Sequence, residues 1–214
     1  MTTVRFNAVS KTYDGLTAVG DATFEIGASS WCVISGANGS GKTTLLQLAT
    51  GLQEPSRGVV CIDADRAGSP PARRAVSYLP DSPPFFTDLS LRGHIEYLAG
   101  LYDDLAVIDL ANDAVRAFGL DSRVDDLPGS FSRGMKQKAA IALTLARPAS
   151  VLLLDEPTRG LDASGADVLV KLLRRRHANG TTVVTVAHEP DLFAHDAGMQ
   201  IRMIDGRAQR VSGF

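Results

Sequence analysis

The chain has 214 residues, with 22 lysines and arginines against 24 aspartates and glutamates and a formal charge of -2. That length supports one well-buried core with an attached lobe and excludes two large domains. The balanced charge gives no global field toward nucleic acid or an anionic membrane, so a polyanion must be met locally. Only Cys32 and Cys61 occur, without paired spacing, and the opening residues MTTVRFNAVS have neither a basic nor an apolar leader region. Those features predict a reducing cytoplasm and no export signal. No apolar run approaches the roughly 20 residues of a membrane helix.

In chain order, β-branched and aromatic residues predict strands at residues 3–9, 22–26, 30–35 and 58–63, then at 75–80, 150–157, 181–188 and 199–205. The runs CVIS, VLLL and VVTV are apolar on consecutive positions, as expected of strands covered on both faces. Helical patterns at 42–50, 134–146 and 165–178 alternate with them, which predicts an α/β domain with a mainly parallel sheet. Residues 89–127 break the rhythm, because SLRGHIEYLAGLY and VIDLANDAVRAFGL both read as helices with no strand between them. They predict a helical lobe inserted in the core.

The segment GANGSGKTT follows a buried strand and opens a helix. It fits G-x-x-x-x-G-K-[ST] at Gly36, Gly41, Lys42 and Thr43, with Asn38, Gly39 and Ser40 inside the loop and Thr44 just beyond it. Glycines let successive backbone N–H groups turn inward, and the helix N-terminus adds partial positive charge, so the loop is suited to phosphate oxygens. Lys42 would reach the β- and γ-phosphates, and the Thr43 hydroxyl would ligate magnesium. Asp155 and Glu156 follow the VLLL run, where paired carboxylates at the end of a buried strand need a positive partner. Magnesium on ATP would supply it at Asp155, while Glu156 would polarise an attacking water.

Phe131–Lys138, FSRGMKQK, lies just upstream of LLLDEPTRGLD, and together they resemble the signature motif and Walker B region of ATP-binding cassette (ABC) proteins. The resemblance covers nearly the whole chain and is closest in kind to the nucleotide-binding subunits of bacterial exporters. It implies one domain over residues 1–214: a P-loop NTPase core, an N-terminal antiparallel β portion, and the helical lobe at about 89–146. It also implies that Tyr13 stacks on adenine, that Ser132 and Gly134 meet the γ-phosphate held by an opposite subunit, that Asp162 crosses the dimer interface, and that His188 contacts the γ-phosphate. Two positions depart from the family pattern L-S-G-G-Q at FSRGM, namely Arg133 and Met135. A third departure is Asp81, where a glutamine usually touches magnesium and the membrane partner; a carboxylate is a competent hard ligand with a shorter stem.

The implied function is ATP hydrolysis, with ATP and Mg2+ bound, by a homodimer or heterodimer of such subunits. The dimer would drive a separate transmembrane permease, an exporter, at the cytoplasmic face of the membrane. A soluble cassette ATPase of DNA repair or translation is the competing reading, but the long coiled-coil insertions or tandem cassettes of those relatives are not in this sequence. A small-molecule P-loop kinase would have no use for FSRGM. Nucleic acid is not an expected partner. The basic run at Arg174, Arg175, Arg176 and His177 reads as a solvated helix end before Gly180. Cys32 and Cys61 read as buried small hydrophobes, and His94 and His195 as surface or packing residues. In YLPDSPPFFTDLS, three prolines predict an irregular loop in which only one of Phe85 and Phe86 is readily buried.

Overall fold

The computed structural model describes residues 2–187 and 190–211. The chain begins with a hairpin of β1 (Val4–Tyr13) and β2 (Leu16–Ile26), closed by Asp14 and Gly15 at φ 46° and 84°. Positive φ at both central residues matches the right-handed twist of the two strands. Val4, Phe6 and Val9 face inward, so the buried face moves from even to odd positions. A register shift between Phe6 and Val9, with Ala8 at φ 49°, makes that change. After β3 (Trp31–Gly36) and α1 (Lys42–Thr50), β4 (Arg57–Ile62) pairs with the other edge of β1 and with β5 (Asp65–Arg66). The result is an antiparallel sheet of order β2-β1-β4-β5.

The remaining elements are α2 (Pro70–Ala75), β6 (Val76–Leu79), α3 (Leu91–Tyr102), α4 (Ala106–Ala117), α5 (Arg133–Ala146), β7 (Val151–Asp155), α6 (Ala163–Ala178), β8 (Thr182–Val186), α7 (Asp191–Ala194), β9 (Met199–Ile204) and β10 (Arg207–Val211). The second sheet has the order β10-β9-β3-β8-β7-β6 and is parallel except for its β9–β10 edge. The fold is therefore the expected α/β architecture with an antiparallel N-terminal portion. In the span read as a helical lobe, α3, α4 and α5 pack on one another with no strand between α3 and α5. Among the described residues no helix is long and apolar enough to cross a membrane.

The apolar runs are explained by which side each residue faces. Trp31, Val33, Leu152, Leu154 and Val183 point to a core shared with Leu91, Ile95, Ile141 and Leu169 of α3, α5 and α6. Cys32, Ile34, Val151, Leu153 and Val184 point the other way, to α1 and the inner face of the antiparallel sheet. The parallel sheet is thus a middle layer with apolar residues on both faces, each fully buried side chain contributing roughly 1.5–3 kcal/mol. Trp31 is 1% exposed, donates from Nε1 to Thr185 Oγ1 at 3.3 Å, and lies 5.9 Å from the Phe193 ring.

The alignment of strand ends sets up the site. Ile34 and Asp155 are both level with Val186, and Leu79 is level with Leu154. The segments that follow β3, β6 and β7 therefore leave the sheet along one edge, at the carboxyl ends of its strands. In open α/β sheets that edge is where ligands bind.

Candidate nucleotide site

The loop after β3 is wedged between two strands. A Cβ at Gly36 would lie 2.4 Å from the Met203 carbonyl oxygen of β9, and one at Gly41 would lie 2.2 Å from the Ala18 carbonyl oxygen of β2. Gly41 also has φ 100°, which a side chain resists. It stands at the N-cap of α1 with no side-chain cap, so the first N–H groups of that helix are left for another acceptor. Lys42 is 7% exposed, and its Nζ donates to the carbonyls of Gly36 and Ala37, at 2.9 Å each. The lysine thus ties its own loop together while its charge stays at the helix N-terminus. Thr43, the next residue, is exposed.

Asp155 ends β7 fully buried. Glu156 follows in the left-handed region at φ 49°, fixed by donation from its N–H to the Val186 carbonyl at 3.0 Å. Arg159 N–H closes the turn on the Glu156 carbonyl at 3.0 Å, and the buried Gln137 of α5 donates to the Pro157 carbonyl at 3.0 Å. From the neighbouring strand end, Asp81 Oδ2 accepts from Arg159 Nη1 in an ion pair, while Asp81 Oδ1 is buried with no hydrogen-bond partner. The Arg159 guanidinium is held charged above its ordinary range, chiefly by its hydrogen bond to Asp81. Burial, then the charges of Asp155 and Asp81, push the Tyr78 phenol up.

These parts meet in one cavity of about 250 Å³. It is lined by Asn38, Gly39, Gly41, Lys42, Thr43 and Thr44 from the loop, by Ala18, and by Asp81, Asp155, Glu156 and Arg159. Gly36 and Ser40 border a separate cavity on the β9 side of the loop. The hydroxyl of Thr43 and the carboxylates of Asp155 and Asp81 are hard oxygen donors, and the unpartnered buried oxygen of Asp81 fits a hard cation there. Among the described residues no cluster of three His, Cys, Asp or Glu is placed to hold a metal by itself, so phosphate oxygens would have to complete the shell.

Ser132, Gly134, Asp162 and Tyr13 lie outside that cavity. Ser132 is exposed at the N-cap of α5, accepting from Met135 N–H at 3.3 Å. Gly134 abuts the 156–162 turn so closely that a Cβ there would lie 2.8 Å from the Gly160 carbonyl oxygen. Arg133 lays its side chain over Gly160. Asp162 caps α6 through Gly165 N–H at 3.0 Å and pairs with Lys138 at 3.2 Å; the Lys138 hydrogen bond is the main reason its carboxyl titrates low. It lines a neighbouring cavity of about 810 Å³ that also reaches Asn38, Glu156 and Arg159. Tyr13 is 39% exposed on the hairpin that carries Ala18, with Lys11 Nζ 4.8 Å from its ring centroid. His188 lies outside the described residues.

Of the smaller readings, those at Arg176 and Cys61 change, and those at Cys32, His94, Phe85 and Phe86 hold. Arg176 is not a solvated helix end: it is half-buried and donates to the carbonyls of Arg147 and Ala149, at 3.3 and 2.7 Å. Cys32 is buried, but Cys61 only partly so. His94 is a buried packing residue that organises the proline-rich loop. Its Nε2 accepts from Phe86 N–H at 3.0 Å and its Nδ1 bonds the Ser90 carbonyl at 2.8 Å, a pairing that requires the Nδ1–H tautomer. Phe85 packs on the core, whereas Phe86 is 51% exposed beside the Tyr97 ring. Sequence reasoning passed over Arg159 and Lys138, although both charges sit inside the very motifs it used.

A glycine-rich loop at a helix N-terminus, an acidic strand end and a serine-capped signature helix, held on this sheet, define an ATP-binding cassette. The sequence profile of the ABC transporter family matches residues 19–159, and the chain belongs to that family as an ATPase cassette. Among curated relatives, the chain is 32% identical over 98% of its length to a macrolide export ATP-binding/permease protein of Paracoccus denitrificans, of which it spans 34%. It is 28% identical over 93% of its length to the SkfA peptide export ATP-binding protein of Bacillus subtilis, spanning 84% of that protein. It is also 32% identical over 98% to a thiamine import ATP-binding protein of Mesorhizobium japonicum, spanning 83%. Among solved structures, an ATP-binding subunit of an ABC transporter superposes with TM-score 0.90 at 26% identity, over 97% of this chain and 89% of the other. A dimeric ATP-binding cassette in a post-hydrolysis state with ADP and Pi superposes with TM-score 0.87 at 25% identity, over 99% and 100% of the two chains.

Proposed function

We propose that the chain is the ATP-hydrolysing subunit of a membrane exporter, acting as a dimer on a separate permease at the cytoplasmic face of the membrane. The observation that carries the reading is the single cavity in which Lys42 of the glycine loop faces Glu156 of the acidic strand end. Backbone N–H groups of the loop take the phosphate oxygens of ATP, and Lys42 exchanges its bonds to Gly36 and Ala37 for the β- and γ-phosphates. Glu156, held by its left-handed backbone, orients a water and takes its proton as the water oxygen bonds the γ-phosphorus and the bond to the β–γ bridging oxygen breaks. Thr43, Asp155 and Asp81 would hold Mg2+, whose charge offsets that of the phosphates. His188 contacts the γ-phosphate and Tyr13 stacks on the adenine.

In the dimer, Ser132 and Gly134 reach the nucleotide held by the opposite copy, and Asp162 crosses the interface. The exposed position of Ser132 outside its own phosphate cavity and the dimeric neighbour both support that arrangement. Closure on ATP and reopening after hydrolysis would move the permease. Docking on the permease is assigned to the loop at 80–90, where Phe86 is exposed. The helical lobe at about 89–146 is read as an insertion within the one ATPase domain of residues 1–214. Relatives named for export and for import match at the same 32% identity, so direction needs a measurement of its own.

The test is phosphate release from ATP with no acceptor present. Steady release that Glu156→Gln abolishes, with ATP binding retained, supports the reading; phosphate transfer only when an acceptor is added would replace it with a kinase. Direction is decided by transport measured in vesicles holding the permease.

A further inference from the structure

The cavity that holds Lys42 carries a second cation which the reaction as described does not use. Arg159 stands on the turn after Glu156 and reaches across to Asp81, which leaves the sheet at the end of β6. The cavity is lined by two cations, Lys42 and Arg159, against three carboxylates, Asp81, Asp155 and Glu156. A triphosphate entering it therefore depends on how much of the Arg159 charge Asp81 keeps.

The pair is built to part. The Arg159 side chain is 53% exposed and that of Asp81 33%, and solvent screening leaves so exposed an ion pair weakly held. One guanidinium nitrogen serves one carboxylate oxygen, which leaves most of the five donors of Arg159 for a second acceptor. A phosphate carries more charge than a carboxylate and accepts the guanidinium fork through two oxygens, so it outcompetes Asp81 at equal reach. Reach is supplied by the position of the residue: Arg159 lines both the phosphate cavity and the adjoining one that runs to Asn38 and Asp162. The base of the side chain does not move, because Arg159 N–H is bonded to the Glu156 carbonyl in a turn that Gln137 holds from α5.

We propose that Arg159 is a phosphate-sensing residue: paired with Asp81 when the cavity is empty, it turns its guanidinium to the terminal phosphate of bound ATP and leaves Asp81 free. The inference rests on the ATPase reading above and adds to it a residue that distinguishes ATP from ADP. ADP lacks the phosphate that draws Arg159 away, so with ADP the ion pair persists.

Two variants break the same ion pair from opposite sides. Equilibrium binding of fluorescent ATP and ADP analogues is measured in EDTA, so that no divalent metal ion takes part, for the wild type, Arg159→Gln, Arg159→Lys and Asp81→Asn. The expected result is that Arg159→Gln lowers the ATP-to-ADP affinity ratio about tenfold, that Arg159→Lys recovers part of it, and that Asp81→Asn raises the ratio. If the pair only staples the 80–90 loop to the 156–162 turn, both losses move the ratio the same way or leave it alone, and either outcome overturns the proposal. A wild type that binds neither analogue, in EDTA or with Mg2+ added, refutes the ATPase reading itself, and this inference with it.

Discussion

Replacing Gly41 with alanine tests whether the geometry of the loop, rather than its sequence, makes the phosphate cradle. The new Cβ would sit 2.2 Å from the Ala18 carbonyl oxygen, where ordinary contact is about 3.3–3.6 Å, so β2 and the loop must part by roughly 1 Å. At φ 100° the side chain also carries a left-handed penalty of about 1–2 kcal/mol. Overpacking adds about 1–3 kcal/mol, for a total near 2–5 kcal/mol. In a chain of this size each kcal/mol lowers Tm by about 2–4 °C, so the expected fall is about 4–20 °C. Gly39→Ala is the control, because Gly39 has φ 76° but nothing within 4 Å of its added Cβ. It bears the backbone penalty alone, a fall of about 2–8 °C. Far-UV circular dichroism melts of the two variants, with ATP-analogue titrations beside them, make the comparison. Gly41→Ala should melt lower and bind at least about tenfold more weakly, since opening the loop turns its N–H groups from the cavity. Equal melts, or a more stable Gly41→Ala, would refute the claim that β2 braces the loop.

Lys42→Ala should lose about 10- to 100-fold in ATP affinity, the worth of one charge-assisted contact set, in an equilibrium titration; unchanged affinity would mean the loop binds no phosphate. Glu156→Gln should lower turnover by about 10²–10⁴-fold with ATP affinity retained and an ATP-bound dimer accumulating, read by phosphate release and gel filtration. Phe86→Ser should keep the melt within about 1 kcal/mol and keep the ATPase rate, yet lose co-purification with the permease, whereas Phe85→Ser should chiefly lower the melt. A Phe86→Ser variant that stays bound would remove the loop from the docking surface.

Strands buried on both faces were the most legible part of the sequence, because β3, β7 and β8 are buried almost throughout and show it as apolar residues on consecutive positions. What escaped has weak local signals. β10 is an edge strand with most of its residues exposed, so RAQRV shows no apolar alternation. α2 opens with two prolines that read as a loop, although proline is favoured in a first turn and Ser69 caps it. β1 and β2 run further than their apolar cores because register shifts carry the pairing on to the Asp14–Gly15 turn. At the site, the glycine loop and the acidic pair could be placed because each is contiguous. The Asp81–Arg159 pair joins residues 78 positions apart, and only the neighbouring ends of β6 and β7 bring them together.

Trp31, the single tryptophan of the chain, sits at the opposite end of β3 from the glycine loop. Five residues of strand place it roughly 17 Å from Gly36, behind the sheet and under the helices. Its intrinsic emission therefore reports the packing of the helical layer and is insensitive to nucleotide in the cavity. One optical signal can follow denaturation at any concentration of ATP, and the midpoint shift then measures ligand affinity without a labelled analogue.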